Sequence, residues 1–176
     1  MHILGNMIFL AVFGDNIEDR MGHWSFALFY LSGGAAATLA HALFSPISSV
    51  PLVGASGAIS AVLGAYITLF PRQRVLTLLP PLILPWLVLR LFFRTPRFYA
   101  FWLPAWAYIG YWALLQVFEA VTGLGLGMPQ AAEMDMSGVA WWAHVGGFVF
   151  GLVSVRLFTR PHGRHATETW PPEPPV

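Results

Sequence analysis

Two residues in this chain have the types and the setting for nucleophilic catalysis. Ser56 stands in Gly54-Ala55-Ser56-Gly57, and His144 follows Ala143 in an apolar run that also holds Gly147 and Gly151. A serine hydroxyl becomes an effective nucleophile when an imidazole within about 2.6 to 3.2 Å takes its proton. Both residues lie in long stretches without Asp, Glu or Arg, where a polar side chain is costly and therefore a candidate for function. The other polar groups so placed are His2, Asn6, His41 and Ser60. Ser56 is set to open a helix, where backbone N–H groups lack intrahelical partners and the dipole favours negative charge. Its own N–H, the Asn6 amide and the imidazole of His2, one turn before Asn6, could then donate to an oxyanion. A donor of this kind is worth about 2.7 to 4 kcal/mol in a dry site. No carboxylate shares their depth in any apolar stretch, so the spacing predicts a Ser–His dyad without a third member. Burial favours a neutral His144 imidazole, able to accept the Ser56 proton.

The elements that would hold these residues are membrane spans. Of the 176 residues, 57% are hydrophobic and 10% charged, against about 25% charged in globular domains. A helix needs about 20 apolar residues to cross a hydrocarbon core of about 30 Å. Residues 24–44, 52–70, 98–121 and 138–158 approach that length. Residues 1–14 would reach only about 21 Å and read as a span whose first turns are missing. Val75 to Leu89 is apolar but holds Pro80, Pro81 and Pro85, and proline costs a helix interior about 3 kcal/mol. It reads as a loop with an interfacial or re-entrant piece.

That reading puts every basic residue on one side: Arg20 after the first span, Arg72, Arg74, Arg90, Arg94 and Arg97 after the third, and Arg156, Arg160 and Arg164 at the fifth. The positive-inside pattern makes that side cytoplasmic. Spans one, three and five then run in parallel from outside to inside. Ser56 follows Pro51 by five residues and His144 follows Gly138 by six, so both fall about 8 to 9 Å below the outer ends. The site opens outward, and the Pro-rich stretch 160–176 is expected to be a disordered cytoplasmic tail behind a membrane domain of residues 1–159.

Ser and His can meet only if the helix faces between them are small. Gly54, Gly57, Ala61 and Gly64 recur at near-helical spacing, and Gly147 and Gly151 form a G-x-x-x-G pair, which permits close backbone approach. Other classes are disfavoured. With no Cys there is no disulfide, thiolate metal site or Cys nucleophile. A formal charge of +1 leaves no broad nucleic-acid face. His2, His41 and His144 lack the carboxylates of a zinc enzyme, so no metal is expected. Trp24, Trp102, Trp106, Trp141 and Trp142 fall near span ends, as interfacial aromatics do. Trp141 and Trp142 could alternatively line substrate access.

Over Met1 to about Thr159 the sequence resembles the rhomboid family of intramembrane serine proteases. Its H-x-x-x-N motif matches His2-Ile3-Leu4-Gly5-Asn6, and Phe13-Gly14 through Glu18 and Gly22 resembles the stretch after the family's second helix. G-x-S-G matches Gly54 to Gly57, and A-H-x-x-G-x-x-x-G matches Ala143, His144, Gly147 and Gly151. The resemblance implies an all-α, polytopic membrane helix bundle with a six-helix core, five helices of which are visible here. The family's first helix and its following loop would precede Met1. It also implies Ser56 as nucleophile, His144 as base and then acid, and His2, Asn6 and the Ser56 N–H as oxyanion donors. Substrates would be transmembrane or juxtamembrane segments of other proteins in the lipid bilayer, cut through an acyl-enzyme without a cofactor. One departure is Ser60, where the family often has an aromatic packed on the base. The alternative is a catalytically inactive rhomboid-like binding protein, or a non-functional fragment.

Overall fold

The computed structural model of the chain describes residues 2–45, 55–78, 100–125 and 140–160. Helix α1 (His2–Phe9) passes through a π-helical turn (Leu10–Gly14) into α2 (Asp15–Met21). Phe9 and Asp15 on either side of the turn are both right-handed helical, so the three pieces form one helical run. The helix thus continues past the apolar stretch of residues 1–14. Asp15, Glu18, Asp19 and Arg20 end the apolar stretch, but Ile17 and Met21, four residues apart, carry a fully buried face onward. Gly22, at φ 85°, then reverses the chain into α3 (His23–Phe44). The Arg160 guanidinium lies against the bare face of Gly22, and Arg160 N–H donates to the Arg20 carbonyl at 3.1 Å. Arg20 and Arg160, assigned to one side by charge, are thus in direct contact.

Helix α4 (Ser56–Leu69) is short, yet every residue from Gly57 to Tyr66 is buried. It is the centre of the bundle. On one side stands α3, running antiparallel: a β-carbon built on Gly33 would lie 2.5 Å from Ala61 Cβ, and one on Gly57 would lie 2.6 Å from Ala37 Cβ. Helix α6 (Trp141–Phe158), which also packs on α3 through Gly146 and Ala40, runs parallel to α4. There a β-carbon on Gly151 would overlap the Ala61 carbonyl oxygen, and one on Gly64 would overlap the Phe148 carbonyl oxygen. The two backbones touch, as G-x-x-x-G permits. Aromatic pairs flank this small-residue centre, with Phe13 edge-on to Tyr66 at 4.9 Å and Phe29 against Phe158 at 5.3 Å. Both α3 and α6 are long and apolar enough to cross a membrane. The chain is a mostly helical membrane bundle.

One addition to that bundle was not expected. β1 (Arg74–Leu78) pairs antiparallel with β2 (Ala100–Pro104), with Leu76 opposite Trp102. The expected span at 98–121 is therefore corrected: α5 runs over Ala105–Gly125. Pro104 closes the strand, and the first N–H groups of α5 find partners outside the helix. Ala105 N–H donates to the Gln73 carbonyl at 2.7 Å and Trp106 N–H to the Pro71 carbonyl at 3.0 Å. Orphan donors satisfied in this way fix where a helix starts. Phe-Trp-Leu is apolar in either conformation, and periodicity alone does not separate them. The remainder of the Pro-rich stretch, 79–99, and the tail from 161 lie outside the described residues.

Gly151→Val puts a branched side chain into the Ala61 backbone and should destabilise the bundle by about 3 kcal/mol. Gly110→Ala is the control: nothing lies within 4 Å of its added carbon, so it should gain about 0.5 to 1 kcal/mol in helix propensity. Chemical unfolding of both variants in detergent measures the difference.

Candidate active site

Ser56 is the first residue of α4, and its N-cap, Ala55, offers no side-chain cap. Among the described residues the first bond of the helix runs from Ile59 N–H to the Ala55 carbonyl at 2.9 Å. The N–H groups of Ser56, Gly57 and Ala58 have no helical partner among them and stand at the positive end of the dipole. His144 sits in the first turn of α6, where its N–H reaches the Ala140 carbonyl at 3.3 Å. Its side chain is buried. Because α4 and α6 run parallel, these two first turns occupy one layer of the bundle.

The glycines hold that layer together. A β-carbon on Gly57 would stand 3.7 Å from the Ala143 carbonyl oxygen and 4.0 Å from Ala143 Cβ. The chain neighbours of Ser56 and His144 thus face each other with room for about one methyl carbon between them. One turn further in, a β-carbon on Gly147 would overlap the Gly57 carbonyl and stand 3.3 Å from Ser60 Cβ. Ser60 is fully buried and donates to the Ser56 carbonyl at 2.7 Å. A large side chain there would push α6 away. The aromatic surface for the imidazole comes from elsewhere: Trp112 at 6.0 Å and Trp141, edge-on at 87°, at 6.1 Å.

Of the other expected site residues, Asn6 is half-buried on α1, which packs against α4. His2 opens α1, but its side chain lies outside the described part, as does Gly54. Gly64 and Gly151 belong to the helix contact deeper in the bundle. The residue that sequence reasoning missed is Gln116 on α5. It is buried, and its Oε1 lies 2.6 Å from His144 Nδ1. The signal in the sequence is an amide inside an apolar helix, which can orient an imidazole as a carboxylate does.

The rhomboid domain family's profile matches residues 1–161. The chain belongs to the rhomboid family. It is similar to Rhomboid-related protein 2 of Mus musculus, 40% identical over 65 residues, which cover 37% of this chain and 21% of that protein. It is also similar to Presenilin-associated rhomboid-like protein A, mitochondrial, of Danio rerio, 34% identical over 85 residues, or 47% of this chain and 22% of the relative. The matched stretches thus span about a fifth of these relatives' length. No solved structure gives a significant match.

This rhomboid domain holds a second imidazole in the same layer. His41 continues the α3 line of Gly33 and Ala37 that faces α4, and it is buried with Nδ1 lacking any hydrogen-bond partner among the described residues. Among the described residues no three His, Asp or Glu side chains gather. A buried polar atom left unpaired costs about 1 to 3 kcal/mol. His41→Leu should therefore make the domain more stable by about that amount in a detergent unfolding titration, and a loss of stability of similar size would contradict the unpaired state.

Proposed function

We propose that this rhomboid-family protein is an intramembrane serine endopeptidase that cuts transmembrane or juxtamembrane segments of membrane proteins through an acyl-enzyme. The close approach of α4 and α6 at Gly57 and Ala143 carries the reading, because the Ser56 end of one helix then lies beside the His144 end of the other. A structural bundle has no need of a serine and an imidazole at that contact.

In this mechanism Ser56 Oγ attacks the scissile carbonyl while His144 Nε2 takes its proton. The carbonyl oxygen becomes an oxyanion at the uncapped start of α4, where the Ser56 N–H points, with the Asn6 amide and the His2 imidazole as further donors. His144 then protonates the leaving amine, which departs as the new N-terminus and leaves the acyl group on Ser56. Water, deprotonated by the same imidazole, releases the acid product. Every proton moves between side chains of the domain, substrate and water, so no cofactor enters. The Arg20–Arg160 junction lies at the opposite end of the bundle from Ser56. With the Arg-rich end in the cytoplasm, the site opens to the outer side of a bacterial-type cytoplasmic membrane and the C-terminus is cytoplasmic.

A fluorophosphonate reads activation of the nucleophile without knowledge of the substrate. Ser56 should be labelled in liposomes, and the label should vanish in Ser56→Ala and fall by at least about 100-fold in His144→Ala, the scale of lost general-base catalysis. Absence of labelling in the folded wild-type protein would favour a non-catalytic, helix-binding role.

A further inference from the structure

We propose that Gln116 is a positioning residue that selects the tautomer of His144 and so decides which ring nitrogen acts on Ser56. The inference rests on the endopeptidase reading and adds a member to its machinery. An amide oxygen accepts hydrogen bonds and cannot donate them. With the amide oriented so that Gln116 Oε1 faces Nδ1 at 2.6 Å, the pairing puts the ring proton on Nδ1. A neutral imidazole carries one such proton, so the lone pair is on Nε2.

Burial makes this selection effective. Gln116 and His144 are 7% and 8% exposed, so bulk water does not compete for Nδ1. Trp112 precedes Gln116 by one turn of α5 and lies beside both His144 and Phe148, at 6.0 and 6.1 Å. One helix therefore supplies both an aromatic neighbour of the imidazole and the acceptor at its edge. A carboxylate would serve as acceptor too, but an ionised one is costly at this depth. The amide orients the base without placing a charge beside it.

The test compares Gln116→Met, which keeps the length but removes the acceptor, with Gln116→Glu, which keeps a carboxyl oxygen to accept. Two readouts are taken on the full chain in liposomes: the rate of fluorophosphonate labelling at Ser56, and the ¹⁵N chemical shifts of the His144 ring, which report its tautomer. The wild type and Gln116→Glu should show a protonated Nδ1 and label at similar rates. Gln116→Met should show a mixture of tautomers and label roughly 10- to 100-fold more slowly, the range for groups that orient a functional imidazole. A Gln116→Met protein with unchanged tautomer and rate would overturn the proposal. So would a wild-type ring protonated at Nε2, which needs no variant to fold. If wild-type Ser56 fails to label at all, the endopeptidase reading falls, while the ring shifts still decide the tautomer.

Discussion

The whole arrangement depends on two helix backbones being allowed to touch. In a bilayer the lipid tails are as apolar as the helix surfaces, so burial of apolar area does little to bring helices together; close packing and interhelical polar contacts must do it. Along α4 and α6 the required closeness comes from residues that are almost absent as side chains. Gly57, Ser60, Ala61 and Gly64 face Ala143, Gly147 and Gly151, and at three of these positions an added methyl carbon would fall on a backbone oxygen of the partner helix. The parallel direction of the two helices does the rest. It brings their amino ends to one level, so a serine and a histidine some ninety residues apart in sequence share a layer.

The polar groups of this bundle show how the cost of burying them is met. Several hydroxyls of the helices return to the carbonyl one turn back: Ser60 to Ser56, Ser154 to Phe150, Thr68 to Gly64 and Thr38 to Gly34, at 2.6 to 3.0 Å. Such bonds satisfy the hydroxyl without involving another helix. Among the described residues, besides the exposed Glu18–His23 pair at the α2–α3 junction, two side-chain pairs cross between helices instead. Asn16 donates to the Tyr66 hydroxyl at 3.3 Å near the Arg-bearing end, and Gln116 meets His144 at the other. The first ties the foot of α2 to α4, and the second ties α5 to the candidate base. Among the described residues, Nδ1 of the His41 imidazole follows neither pattern.

Much of this was legible in the sequence, for a physical reason. In an apolar stretch each polar residue is conspicuous, so Ser56, His144 and Asn6 could be picked out singly and their depths counted from the span ends. The glycine spacing could be read as close packing, and the arginines gave the shared side on which Arg20 and Arg160 now meet. What escaped was decided by hydrogen bonds rather than hydropathy. The start of α5 is set by the carbonyls of Pro71 and Gln73, residues more than thirty positions earlier, and no local pattern records that. The continuation into α2 follows from burial of Ile17 and Met21 within a run of charges. Gln116 escaped because an amide was not considered where a carboxylate was sought.

The central claim is that α4 and α6 bring Ser56 and His144 within reach of one small reagent. A chloroisocoumarin that acylates a serine and then alkylates an adjacent imidazole tests this directly, with the product digested and read by mass spectrometry. The account predicts one reagent molecule bridging the peptide that contains Ser56 to the peptide that contains His144. Acylated Ser56 with no bridge to α6, or a bridge to His2 or His41 in its place, would contradict it.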